Sequence, residues 1–120
     1  MRLVDSNILI LSAKPEHPEL KELLEQDDIA VSELSKLEVL GYHALTTEAE
    51  EYFNAVFALV TVLSITSAVI DRATELRRDN NMKTADAIIA ATALIHCTEL
   101  ITRDNDFNKI PDLTVNNPID

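Results

Sequence analysis

The longest apolar segment of the chain predicts a buried helix in its carboxyl-terminal third. Between Ala87 and Ile95 only Thr92 carries a polar side-chain atom, and a helix that is apolar on nearly every face is normally buried. Thr84 is a suitable N-cap just ahead of this helix. Asp86 would then lie in the first turn, where the helix dipole favours a carboxylate. The pattern alone leaves two interpretations of Asp86 equally open: a residue that stabilises the helix start, or a functional acid.

Short β-branched segments alternate with amphipathic ones along the rest of the chain. The hydrophobic pattern predicts strands at residues 2–4, 28–31, 60–63, 99–102 and 113–115. It predicts helices at residues 8–12, 18–26 and 45–60, and two more that begin after Ser32 and near Ser67. The helix at 45–60 is expected to be the longest. Because strands alternate with helices, we expect one domain over residues 1–120, an α/β fold organised as an α/β/α sandwich with a central parallel sheet of four to five strands.

Composition favours a packed globular domain. The 120 residues are 47% hydrophobic, which is enough apolar surface to form a core. No apolar run approaches the roughly 18 residues of a membrane span, and the start of the chain is too short and too acidic for a signal peptide. The single cysteine, Cys97, has no partner for an internal disulfide. These features lead us to expect a cytoplasmic protein without a membrane segment.

The charge balance limits the partners that the chain can bind unaided. The chain has 10 basic residues and 21 acidic ones, and its net charge is −11. Nucleic acid is normally bound by a basic surface, so this balance taken alone argues against it. An acidic enzyme can still act on phosphates when metal ions supply the positive charge.

Acidic residues fall where the elements of an α/β sheet converge. They are Asp5 and Asp104 after predicted strands, Asp86 at the start of the buried helix and Glu38 in the helix after the second strand. Ligands of open parallel sheets bind beyond the carboxyl ends of the strands. Each acid alone has an ordinary explanation, as a turn residue, a cap or a surface charge. Together in one crevice they would repel one another, and hard divalent cations remove such repulsion; the histidines are scattered, so zinc is not indicated.

Four short motifs, in order along nearly the whole chain, resemble those of a known family. Residues 4–7 (Val-Asp-Ser-Asn) look like an opening motif, and residues 32–41 look like a second, with an acid three residues before the glycine. Residues 84–93 (Thr-Ala-Asp-Ala-Ile-Ile-Ala-Ala-Thr-Ala) are the most specific match, and residues 100–107 look like the last motif. In these motifs the chain resembles the PIN domain family, and within it the VapC-type toxin ribonucleases.

The resemblance implies a metal-dependent endoribonuclease that hydrolyses RNA phosphodiester bonds, the toxin of a type II toxin–antitoxin pair. It implies that Mg²⁺ or Mn²⁺ is held by Asp5, Glu38, Asp86 and Asp104. Family members differ in which acid of the last motif approaches the metal, so Asp106 competes with Asp104. The resemblance also implies a homodimer, and often an antitoxin protein that blocks the site. The aromatic residues of the helix at 45–60, three of the five in the chain, exceed what a small core should need and also favour a dimer.

Four further residues take supporting roles in the mechanism that the resemblance implies. Asn7 and Thr102 could supply hydrogen bonds around the metal-binding acids. Lys83 and Arg103 are the best basic candidates for holding RNA phosphates. The chain is therefore expected to combine an acidic centre with a few cations beside it.

Three other functions remain open from the sequence. The same metal site would serve a PIN-fold nuclease that acts in RNA processing or on structured DNA. The chain could instead be a catalytically silent dimer module that has kept the fold. An aspartyl-phosphate enzyme would use Asp5 as its nucleophile, but Asn7 stands where such enzymes commonly have a second acid.

Overall fold

The five predicted strands form one sheet in the computed structural model, which describes residues 1–119. The strands are β1 (Arg2–Val4), β2 (Ile29–Ser32), β3 (Thr61–Leu63), β4 (Glu99–Ile101) and β5 (Val115–Asn116). Their order across the sheet is β3-β2-β1-β4-β5, and every neighbouring pair is parallel. The last strand is only two residues long and lies slightly later than predicted. The prediction of a central parallel sheet is confirmed.

Within residues 1–119, six α-helices connect and cover these strands. They are α1 (Ser6–Ser12), α2 (Pro18–Leu24), α3 (Glu33–Leu40), α4 (Thr47–Leu59), α5 (Ser67–Asn80) and α6 (Thr84–His96). The hydroxyl groups of Ser32, Thr46 and Thr66 cap α3, α4 and α5 by accepting a backbone N–H. In residues 1–119, no helix is long and apolar enough to cross a membrane.

The predicted helices differ from the structure at several of their ends, and the predictions of the longest helix and of the cap of α6 are wrong. α5, with 14 residues, is longer than α4, with 13, because Val60 already has the extended backbone of the following strand. Thr84 is the first residue of α6 and not its cap. Lys83 occupies the N-cap position with an extended backbone and makes no capping hydrogen bond with its side chain. Helix ends depend on one or two residues of backbone geometry, which a hydrophobic pattern does not specify.

The core lies on both faces of the sheet, because neighbouring residues of a strand point to opposite sides. Leu3 and Leu100 pack with α5 and α6 in one hydrophobic cluster. Val4 and Ile101 pack in a second cluster with residues of α1, α2 and α4. A parallel sheet that is covered on both faces is an α/β/α sandwich, so the predicted fold class is confirmed. Helix α6 is buried over most of its length, although Ile95 near its end is 40% exposed.

The carboxyl ends of the two central strands meet at one edge of the sheet. β1 pairs with β4, and Val4 lies opposite Ile101. The next residue along, Asp5, donates its backbone N–H to the carbonyl oxygen of Ile101 at 3.0 Å. Asp5 and Thr102 therefore follow neighbouring strands at the same edge, which is where ligands bind in open α/β sheets.

Candidate active site

Asp5 is the most tightly held acid at this edge. It is only 8% exposed, and it occupies the N-cap of α1, where Oδ1 accepts the backbone N–H of Ser6 at 2.7 Å. Its other oxygen, Oδ2, accepts the hydroxyl proton of Thr102 at 2.8 Å. Because both oxygens have a donor, the carboxylate cannot rotate without losing a hydrogen bond.

The environment of Asp5 opposes its negative charge. Burial raises the pKa of Asp5 above its ordinary value, and the charges of Asp86 and Glu38 raise it further, while the hydrogen bonds from Thr102 and Ser6 lower it. The upward shift prevails because desolvation is the largest of these influences. A buried carboxylate with a raised pKa is typical of a site that receives a cation or handles a proton.

Thr102 links Asp5 to the acids of the last motif. Its side chain is buried, and its hydroxyl oxygen accepts the backbone N–H of Asp104 at 3.1 Å while the hydroxyl proton goes to Asp5. Asp104 in turn accepts the backbone N–H of Asp106 on Oδ1 at 2.9 Å, which caps the 3₁₀ helix Asn105–Lys109. Asp104 is half-buried and Asp106 is exposed. Thr102 thus lies beside the acids, where the sequence predicted it.

Two buried serines connect Asp5 to Glu38. The hydroxyl of Ser6 lies 2.9 Å from Glu38 Oε1 and 2.8 Å from Ser35 Oγ. A hydroxyl has one proton, and the bond to the charged carboxylate is the stronger one. The hydroxyl of Ser6 can thus donate to Glu38 or to Ser35, and the bond to Glu38 is favoured. This role of the two serines was not predicted from the sequence, although Ser35 lies three residues before Glu38 on α3 and so shares its face.

Asp86 lies within the electrostatic field of the other acids. It is half-buried in the first turn of α6. Burial raises its pKa above the ordinary value; the charges of Asp104, Asp106 and Glu38 add to the rise, and Lys83 opposes it. A residue whose only role is to stabilise the helix start would not need to lie among three like charges. The position of Asp86 favours the functional interpretation.

The acids interact through space without forming a ready-made metal cage. In the described residues 1–119, no three His, Cys, Asp or Glu side chains are close enough to hold a metal ion. The donor set consists of oxygen atoms alone, the chemistry that Mg²⁺ and Mn²⁺ prefer.

Cavities with basic residues lie beside the acids. Arg103 lines a cavity of about 470 Å³ together with Asn7 and Asp104. Lys83 lines a smaller one, about 80 Å³, with Asp86 among its other lining residues. Asn7 is exposed, and its side chain borders the site without reaching the carboxylates through any hydrogen bond found in residues 1–119. The basic residues chosen from the sequence therefore do border the acids.

The comparison with protein families agrees with this geometry. Residues 2–113 match the family described as the PIN domain. The chain belongs to the PIN domain family. The PIN match spans all the acids discussed above, from the first motif to the last. No curated protein sequence matches the chain significantly.

Solved structures show the same PIN fold over almost the entire chain. A toxin–antitoxin complex from Klebsiella pneumoniae contains a chain that is 33% identical, with a TM-score of 0.82, and the alignment covers 99% of this chain and 98% of that one. FitAcB from Neisseria gonorrhoeae is 23% identical, with a TM-score of 0.80 and 98% of each chain covered. VapBC2 from Rickettsia felis, solved with a DNA fragment from its promoter, is 16% identical, with a TM-score of 0.80 and 96% of each chain covered. The last two likenesses concern the fold alone.

Proposed function

We propose that this PIN domain, a single nuclease domain over residues 1–120, is a Mg²⁺- or Mn²⁺-dependent endoribonuclease and the toxin of a type II toxin–antitoxin pair. The observation that carries the proposal is the hydrogen-bonded chain from Glu38 through Ser6, Asp5 and Thr102 to Asp104, with Asp86 in its field. Such an assembly of acids costs folding stability, so it calls for a functional reason. Similarity to a chain of a solved toxin–antitoxin complex supports an antitoxin protein as partner.

The acids at the sheet edge suit a hard divalent cation. Asp5, Asp86, Asp104 and Glu38 would hold it, with Asp106 as the alternative to Asp104. Burial is the largest cause of the raised pKa of Asp5 and of Asp86, and the charges of the neighbouring acids add to it. When bound, the ion supplies a water of lowered pKa and neutralises charge that develops on the phosphate.

The side chains of this chain orient the reaction. The backbone N–H of Ser6 and the hydroxyl of Thr102 each donate to one oxygen of Asp5, and together they hold its carboxylate in a single orientation at the cleft. Glu38 is exposed, and Ser6 holds its Oε1. Its second oxygen, Oε2, makes no hydrogen bond within residues 1–119 and is therefore the atom placed to accept a proton from an attacking water. The cations Lys83 and Arg103 at the border of the site would hold the flanking phosphates.

Removal of the metal is expected to abolish cleavage. The oxygen-only donor set predicts that labelled RNA is cut with Mg²⁺ or Mn²⁺ and is left intact in excess chelator, because without a cation among them the acids would repel the phosphate that is to be attacked. Gel analysis of the products, with chelated samples restored by added Mg²⁺, measures this. Equal cleavage with and without chelator would rule out the metal mechanism.

The protein is expected to form a homodimer, but not for the reason that the sequence suggested. Phe53 and Phe57 of α4 are buried in the core of the single chain, so they are not available at an interface. Leu37, Tyr42 and Leu59 are 70%, 57% and 60% exposed, so these apolar side chains are the ones available to an interface. Light scattering at micromolar concentration should give twice the chain mass of 13.3 kDa.

The same measurement on two variants would identify the face that associates. Leu37→Glu and Leu59→Glu each place a charge on one exposed apolar position. The variant whose substituted residue lies in the interface should give the mass of a single chain, because burial of an unpaired charge opposes association. A parent protein that already has the single-chain mass would contradict the dimer.

A further inference from the structure

A second cavity continues the small one beside Asp86. The small cavity, about 80 Å³, is lined by Lys83, Lys109 and two acids of the proposed site, together with Asn81 and Met82. The second cavity, about 400 Å³, is lined by Asn81 and Met82 as well. Because the two share these residues, they adjoin at the turn between α5 and α6, and together they are called the groove below.

The groove collects much of the positive charge of an acidic protein. Arg77 and Arg78 line its far part, and Lys83 and Lys109 line its near part. These are four of only ten basic residues in a chain of 120. The acidic residues that line the two cavities, Asp86 and Asp106, both belong to the proposed site. A phosphate chain that leaves the acids along this groove would meet cations, whereas most other directions lead over a surface with excess negative charge.

Folding accounts for only part of this cluster. Cations at a helix carboxyl end are favoured by the dipole, which explains Arg77 and Arg78 in the last turn of α5. Lys83 is at the N-cap of α6, where the dipole disfavours a cation. Its position is favoured by the charge of Asp86, and its side chain lines the small cavity, where it can also meet a ligand that carries negative charge.

The backbone at the end of α5 brings the two halves of the groove together. Asn81 has a left-handed conformation, with φ 52° and ψ 48°, which an asparagine tolerates. Only Asn81 and Met82 separate Asn80, the last residue of α5, from Lys83 at the N-cap of α6, so Arg77 and Arg78 lie just before the turn and Lys83 just after it. Arg78 forms an ion pair with Asp79 at 3.9 Å, and the two side chains are 72% and 69% exposed. An ion pair as exposed as this contributes little to folding stability.

We propose that this groove, lined by Arg77, Arg78, Lys83 and Lys109, binds the phosphate backbone of single-stranded RNA on one side of the bond to be cut. The inference rests on the proposed function and extends it by naming the path of the substrate. The groove offers cations without an aromatic side chain among its lining residues, so it recognises the sugar–phosphate chain and not the bases. It would let an acidic nuclease bind RNA in spite of its net charge of −11.

The test compares two double variants with the same net charge. Arg77→Gln with Arg78→Gln removes two cations from the groove. Lys21→Gln with Arg72→Gln removes two cations elsewhere: Lys21 lies over the Tyr52 ring on the other layer of the sandwich, and Arg72 pairs with Glu75 on α5. Binding of a fluorescent oligouridylate of about 12 nucleotides is measured by anisotropy in chelator, so that no cleavage occurs.

The groove variant is expected to bind RNA at least about tenfold more weakly than the parent at about 50 mM salt. When the logarithm of the binding constant is plotted against the logarithm of the salt concentration, its slope should be shallower by about 1.4, the value for two lost contacts to a single strand. The control variant should keep the parental slope. Arg77→Lys with Arg78→Lys keeps both charges and should restore most of the affinity. Thermal melting of all variants checks that the fold is unchanged.

Three outcomes are decisive. Equal weakening by the groove and control variants would mean that only net charge matters, and it would overturn the groove. So would a parent that does not bind the oligonucleotide in this assay. The third outcome separates the two proposals. If the parent cleaves no RNA with Mg²⁺, but the groove variant loses RNA binding and the control variant keeps it, the proposed catalytic function is wrong and RNA binding by the groove is supported.

Discussion

Replacement of Asp5 or Asp86 by asparagine is expected to reduce RNA cleavage by at least about 10³-fold. Each change removes one negative charge from the edge of the sheet and leaves the side-chain shape almost the same. The loss should appear in kcat as well as in kcat/KM, because in the proposed mechanism the acids would act on the reacting phosphate and not only on substrate binding. Single-turnover cleavage of labelled RNA measures both.

The Asp5 variant needs a fold control, because Asp5 also caps α1. An asparagine there can still accept the N–H of Ser6, and its amide can donate to Thr102 once that hydroxyl turns its proton elsewhere. Circular dichroism should therefore show a folded protein. Asp5→Ala would leave the N–H of Ser6 and the hydroxyl of Thr102 without a partner, so the asparagine variant is the cleaner one. Cleavage by Asp5→Asn at near-parental rate would remove Asp5 from the site.

The two acids of the last motif should differ in their effect. Asp104 is half-buried, it is tied to Asp5 through Thr102, and of the charges that raise the pKa of Asp86 it has the largest influence. Asp106 is exposed and contributes less. Asp104→Asn is therefore expected to lower cleavage more than Asp106→Asn. The reverse order would move the centre of the site by two residues.

Asp86→Asn is expected to melt a few degrees higher than the parent at pH 7 in chelator. The pKa of Asp86 is raised in the folded protein by burial and then by Asp104. The folded state thus holds this proton more tightly than the unfolded chain does, whose carboxyl pKa is about 4. The contribution of the protonated Asp86 carboxyl group to the free energy of unfolding is fully present below about pH 4, and it is lost as pH rises through the folded-state pKa. Asparagine has no proton to lose, so the variant avoids that loss.

The same experiment at other conditions tests the sign and the metal together. Below about pH 4 the parent and the variant should melt alike, because Asp86 is then protonated in both states. Mg²⁺ at about 100 times its Kd should stabilise the parent by about 2.7 kcal/mol and the variant much less. A variant that melts lower in chelator and responds to Mg²⁺ as the parent does would show that Asp86 only stabilises the start of α6.

The local pattern of the sequence determined the fold class and the choice of acids. The apolar segment 87–95 and the alternation of strands with helices indicated an α/β/α sandwich, because hydrophobic periodicity reports which faces of an element are buried. The order of the motifs agreed with this through the resemblance to the PIN domain family. Asp5 after β1 and Asp104 after β4 followed from the rule that parallel strands deliver their carboxyl ends to one edge. These features are short-range, so one sequence contains them.

Only the tertiary structure decided which side chains hold these acids. Thr102 and Asp5 are 97 residues apart in sequence and 2.8 Å apart in space, and Ser6 reaches Ser35 across 29 residues. The same holds for the basic groove, in which Lys109 faces the turn after α5. Hydrogen bonds and desolvation depend on distances between residues from different elements, and local periodicity does not contain those distances. The sequence therefore identified the charged groups, and the packing of the sheet against its helices determined their partners, their pKa values and the path that leads away from them.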